Sequence, residues 1–337
     1  MWELVNRTPY AVERSWTIDK NGAHVWLVAV KATFSIQENG KLELADEQAP
    51  VVLAPEFWGD PAQSSVRYDN EVTPPKPSTD VLVEGSAYAP RRQRVSEVQV
   101  SLRTSEFEKS LLVYGPRVYF MNNLGGLGVS DAEFFESFPI RYEDAYGGSD
   151  LTDPDPGKQR FDARNPVGKG VTAQLMRLHH QPAHRIEYTS GSVTSRGPAG
   201  FGPLASFWSP RRERGGTYDD RWDKKKKPLL PDDYDEKCLL SAPDDQRPAR
   251  PLAGGEHVQL VNMTPCGRLT LQLPKIYLTF SSTFGERNEE HRSRLGTVII
   301  APDDGKLMLV WNTSLVVRAP DVDYLDKTVI AEKPYLT

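Results

Sequence analysis

The chain has only two cysteines, Cys238 and Cys266, in 337 residues. That is too few for a disulfide framework or a four-cysteine zinc site, and it fits reduced thiols in a reducing compartment. Basic charge is also in short supply: 41 Lys and Arg stand against 46 Asp and Glu, a net charge of −5. Nucleic-acid binders draw much of their affinity from phosphate neutralisation, so that class of partner is not expected. Long apolar runs are missing. The longest, Val25–Val30, is far below the ~20 residues that span a bilayer, so no membrane insertion is expected. The opening Met-Trp-Glu-Leu-Val-Asn-Arg lacks a basic start followed by an apolar stretch. No secretory signal is visible, and the expected location is cytoplasmic.

Signatures of chemistry are missing too. His180 and His184 have a metal-like spacing, but Pro182 between them breaks the helix that would align them. Gln181 stands where a zincin carries Glu. No Gly-x-Ser-x-Gly elbow occurs, and neither cysteine has a histidine near it in sequence. The glycine-rich run at 122–128 lacks the Gly-Lys-Ser/Thr of a phosphate loop and is followed by Val129-Ser130-Asp131. The expectation is no catalytic residue, no metal, no cofactor and no use of ATP. Paired carboxylates on a β scaffold could support glycoside hydrolysis, but nothing marks two of the 46 acids out.

What is present is a strand pattern. Tyr10–Ile18, then Asn21-Gly22, then Ala23–Ile36 predicts a hairpin, because Asn-Gly takes up the positive φ of tight turns. Apolar residues on both alternating positions near Leu27–Val30 predict burial on both faces. A second turn at Asn39-Gly40 leads to Leu42–Ala45 and suggests a three-stranded meander. Thr79–Tyr88, Val95–Leu102 and two strands within Glu108–Met121 follow. Only Asp131–Ser137 and Thr172–His179 look weakly helical. Strands return at His257–Met263, Arg268–Leu273, Lys275–Ser282, Thr297–Ile300 and Lys306–Val317. The expected fold is mainly β, with antiparallel sandwich-like sheets, long ordered loops and little helix. Three regions divide the chain: 1–142 antiparallel β, 143–255 ordered loop rich in Pro, Gly and aromatics, and 256–337 β again.

The loop region has seven prolines between Pro203 and Pro251, which keeps it out of central strands. Yet it holds Phe201, Phe207, Trp208, Tyr218, Trp222 and Tyr234, which predicts packing of aromatics against the core. Its charge is blocked. From 211 to 227, eight basic residues accompany four acids; from 232 to 245, six acids accompany Lys237 alone. The blocks read either as solvated loops that neutralise each other, or as a polar docking surface that tunes encounter and specificity. The candidate partner-binding residues are Arg211, Arg212, Trp222, Lys224, Lys225, Lys226 and Lys227.

Several segments together resemble a known family. They are Val30-Lys31-Ala32-Thr33-Phe34, Lys76-Pro77-Ser78-Thr79-Asp80, Ala145-Tyr146-Gly147-Gly148 and Asn165-Pro166-Val167-Gly168-Lys169-Gly170. Gly216-Thr217-Tyr218-Asp219-Asp220-Arg221-Trp222, Ala242-Pro243-Asp244-Asp245-Gln246-Arg247 and Leu252-Ala253-Gly254-Gly255-Glu256 complete the set. In this order they are similar to the bacterial family called domain of unknown function 2169. The resemblance covers nearly the whole chain as one unit. It implies a non-enzymatic adaptor-chaperone of type VI secretion, which stabilises a toxin effector and helps load it onto the spike protein VgrG. The alternatives are a carbohydrate-active hydrolase or other enzyme on a β scaffold, and a secreted toxin domain.

Overall fold

The computed structural model describes residues 2–123 and 125–333. Leu124, within the glycine-rich run, and 334–337, the end of the C-terminal region, lie outside the described residues. The chain is mainly β, and most strand pairs are antiparallel. Strands from the first and last regions interleave. In the largest sheet the order is Ala11–Ile18, His24–Ile36, Lys306–Val317, Arg294–Ala301 and Asp80–Val83. Its one parallel pair joins Arg294–Ala301 to Asp80–Val83.

The first hairpin forms as its turn residues require. Gly22 has φ +87°, and its N–H donates to the Asp19 carbonyl at 3.0 Å. The expected meander does not form. Leu42–Leu44 pairs with Phe34–Ile36 along the same edge of the long strand that Ala11–Ile18 uses farther back. The His24–Ile36 strand is long enough for two short partners on one edge, and Lys306–Val317 fills its other edge.

A five-stranded antiparallel sheet runs Ile186–Tyr188, Glu108–Tyr114, Glu97–Arg103, His257–Val261, Arg268–Gln272. A four-stranded sheet runs Glu3–Asn6, Leu325–Glu332, Leu278–Phe284, Arg287–His291; its third strand overlaps the expected Lys275–Ser282, and the other three were not expected from the sequence. One apolar cluster joins all three sheets. It contains Val28 and Val30, Val100 and Leu260, and Phe280 and Ile330. The alternating positions Val25, Leu27 and Ala29 are buried on the opposite face against Val51 and Val72, so the long strand is covered on both sides.

The helical expectations move. Residues 131–136 are not helical; Phe135 pairs instead with Val95, and Ser137–Pro139 pairs with Ser86–Tyr88. Of Thr172–His179 only the 3₁₀ turn Leu175–Leu178 remains. Two short α-helices, Arg211–Arg214 and Asp220–Lys225, occur in the proline-rich stretch. The Asp219 carboxylate starts the second by accepting from the Trp222 N–H at 2.8 Å. Phe201 and Trp208 are buried as expected, Trp222 and Tyr234 are half-buried, and Phe207 and Tyr218 are exposed. Burying a side chain of this size contributes about 1.5–3 kcal/mol.

The family segments meet in pairs. Asp80, fully buried, accepts from Lys76 Nζ at 2.7 Å, from the Ser241 N–H at 2.9 Å and from the Ala242 N–H at 2.9 Å. Gln246 Nε2 donates to the Val81 and Phe201 carbonyls, and Thr79 Oγ1 accepts from the Leu252 N–H. Apart from Lys76, Asp80 takes its donors from the far loop. In the second pairing, Tyr146–Gly147 lies parallel to Lys169–Gly170, and Asn165 Nδ2 donates to the Tyr142 and Tyr146 carbonyls. Gly147 and Gly148 have φ +150° and +114°, and a Cβ on Gly147 would meet the Asn165 carbonyl at 2.3 Å. Gly215 has an ordinary helical φ of −66°.

A second buried pair, Lys31–Glu71 at 2.8 Å, lies on the same face of the sheet. Burial lifts the Glu71 carboxyl above its usual range despite Lys31. Burial acts on Asp80 in the same direction, but the Lys76 ammonium and the N–H donors outweigh it and hold the carboxyl below its usual range. The stabilisation from Asp80 is therefore present at neutral pH and is lost only as pH falls below the unfolded value of ~3.9. Removing one partner from a buried pair leaves the other uncompensated. Asp80→Ala is expected to lower unfolding free energy at pH 7 by about 3–5 kcal/mol in urea titration. A loss within about 0.5 kcal/mol would contradict the buried clasp.

Candidate functional site: a groove beside the first hairpin

A groove of about 820 Å³ lies on the face of the main sheet opposite the shared core. Its floor is made where neighbouring strands bring Thr17, Val25 and Val316 side by side. The hairpin turn Asp19–Asn21 closes one end, and the start of the Arg294–Ala301 strand closes the other. The outer wall is the loop carrying Leu230, Tyr234 and Leu239. Ile18 and Val316, both largely exposed, and buried Val25 give the floor an apolar surface.

Local bonds hold that wall in place. Asp235 accepts from the Lys237 N–H and starts the 3₁₀ turn Glu236–Leu239. Arg211 Nε donates to the Cys238 carbonyl at 3.0 Å, and its guanidinium pairs with Asp69 at 2.9 Å. Arg211, expected on a docking surface, is thus a buried strut behind the groove wall. Trp222 Nε1 donates to the Leu229 carbonyl at 2.8 Å, so its indole holds the short helix to the wall segment. Leu229 in turn sits 3.5 Å from where a Cβ on Gly22 would be, which brings the wall against the hairpin turn.

The basic block is divided. Lys226 pairs with Asp232 at 2.6 Å and Lys227 with Asp223 at 2.9 Å. Arg214 pairs with Asp244. The two charge blocks therefore neutralise each other in part. Arg212, Lys224 and Lys225 are exposed and make no ion pair among the described residues. The structure thus ties Trp222 to the groove wall and takes Arg211 out of contact with solvent. Ile18, Arg292 and Arg294 were not picked out from sequence, and Tyr234 was picked out only as a core-packing aromatic. They come from three separate segments with no shared motif.

A second groove, about 580 Å³, shares Arg292–Arg294 with the first and is lined by Leu252, Phe280, His291 and Trp311. His291 is held between Ser282 Oγ, 3.0 Å from Nε2, and Thr313 Oγ1, 2.8 Å from Nδ1. Burial pushes the imidazole down to about 4. Among the described residues, no group of three or more His, Cys, Asp and Glu is arranged to hold a metal ion. No helix among them is long and apolar enough to cross a membrane.

Among comparisons with known proteins, a family model described as "Uncharacterized protein conserved in bacteria (DUF2169)" matches residues 21–312. No curated protein and no solved structure matches the chain.

His291 sets a pH dependence. Its folded value lies below its unfolded one, so below about 6.5 the unfolded chain takes up a proton that the folded chain refuses. Stability should fall between about pH 6.5 and about pH 4, by about 2–3 kcal/mol from this group. Urea titrations across that range should show the loss in the wild type, and His291→Gln should lack this component. Parallel curves for the two proteins would contradict the assignment.

Proposed function

Because the chain belongs to this bacterial family of uncharacterised proteins, we propose that it is an adaptor. It binds and stabilises a toxin effector of type VI secretion and helps load it onto the spike protein VgrG. It performs no chemistry on the effector. One observation carries the reading furthest: a groove of about 820 Å³ with an apolar floor and a wall built from the loop region. Grooves of this kind hold chains by shape and by seated side chains.

Two further features support it. The Ala11–Ile18 strand ends its sheet, and among the described residues its outer edge pairs with no other strand. An extended segment can add to such an edge through main-chain hydrogen bonds. The family segments, moreover, serve to clasp the loop region onto the sheets. Fixing a recognition loop in advance lowers the ordering cost of binding.

Co-expression with the protein encoded beside it is expected to give a complex that survives affinity purification and gel filtration. Deleting the gene is expected to lower effector abundance and its secretion. Absence of a complex, together with unchanged effector level and secretion, would remove the reading.

A further inference from the structure

The whole chain is acidic, yet the groove and the helix beside it carry an unpaired basic surplus. Lys20, Arg292 and Arg294 line the groove, all exposed, and no ion pair involves them among the described residues. The acids that line it are Asp19 and Glu236. The Asp19 carboxylate is already engaged, accepting from the Asn21 and Ala23 N–H groups at 2.8 Å each. The adjoining Asp220–Lys225 helix adds Arg221, Lys224 and Lys225 against Asp220, none of them ion-paired. Elsewhere in this region opposite charges have found each other, as Lys226–Asp232, Lys227–Asp223 and Arg214–Asp244 have. The cations left unpaired at the apolar trough itself are Lys20, Arg292 and Arg294.

We propose that the occupant of this groove is an extended acidic segment of the partner polypeptide. Its apolar side chains seat between Val316 and the Leu230–Tyr234 wall, and its carboxylates meet Lys20, Arg292 and Arg294. This assignment rests on the adaptor reading and names the chemistry of what that adaptor holds. Arg suits such a rim because its planar guanidinium pairs with carboxylates in a bidentate manner. Exposed charges of this kind act mainly on encounter rate and partner choice, and they weaken with salt. A nucleic acid would meet the same cations, but the floor offers it aliphatic Ile18, Val25 and Val316, with no stacked aromatic platform.

Fluorescence anisotropy of the full chain tests this with three labelled probes. They are a roughly twelve-residue alternating Glu-Val peptide, its Lys-Val counterpart, and a single-stranded DNA of similar length. The Glu-Val peptide is expected to bind, and to bind at least about tenfold more weakly on going from about 50 to about 500 mM salt. The double variant Arg292→Glu, Arg294→Glu is expected to lose about tenfold or more of that binding with an unchanged urea midpoint. The Lys-Val peptide and the DNA are expected not to bind. Failure of the Glu-Val peptide to bind, equal binding by either other probe, or an unaffected double variant would overturn the proposal. Co-purification separates the two levels. If the double variant retains the natural partner as well as the wild type does, the groove assignment fails and the adaptor reading stands. If the wild type retains no partner, the adaptor reading fails.

Discussion

The fold turns on one buried carboxylate. Asp80 lies at the start of the strand that ends the main sheet, out of reach of water, and is satisfied by Lys76 and by two backbone N–H groups of a loop far along the chain. A desolvated carboxylate is tolerable only with partners of this kind. The loop from 239 to 252 therefore has one place to sit. Gln246 and Thr79 extend the same seam, and Lys109, itself buried, reaches Asp245 at its edge. Proline keeps this stretch from forming strands of its own, so polar bonds to the sheet do the work that ladder bonds do elsewhere.

From this seam the groove follows. Once residues near 241 are fixed, the preceding segment from Leu229 to Leu239 must lie over the near end of the sheet. Arg211 on Asp69 and Trp222 on Leu229 set its distance from the sheet. The space left between is open and apolar at its floor, with cations at its rim. A wall built from a loop but held by buried bonds is rigid enough to present one shape, and its outer surface is free to vary in charge.

Much of the β framework was legible in the sequence. Strand patterning marked Val95–Leu102, and Asn21-Gly22 marked the first turn, because both signals are local. The two helices were not legible, since four and six residues are too short for a 3.6-residue period to show. Pairing of the first and last regions in one sheet was also hidden, because either β region could have closed a sheet alone. At the groove, the basic block included Trp222, whose indole bonds the wall at the Leu229 carbonyl. It misled at Arg211, whose neutralising partner Asp69 is far away in sequence and has no motif of its own. The groove residues Ile18, Val25, Tyr234, Arg294 and Val316 share no spacing at all. Only the strand register brings most of them together.

The central claim is that this β scaffold holds another polypeptide in the groove between its first hairpin and the clasped loop. Hydrogen–deuterium exchange, run on the protein alone and on its complex with the co-expressed partner, tests it most directly. The account predicts slowed exchange on complex formation in the segments 15–25, 229–239, 292–295 and 314–317, with the rest of the chain nearly unchanged. Protection confined to other surfaces, with those four segments exchanging as they do in the free protein, would contradict it.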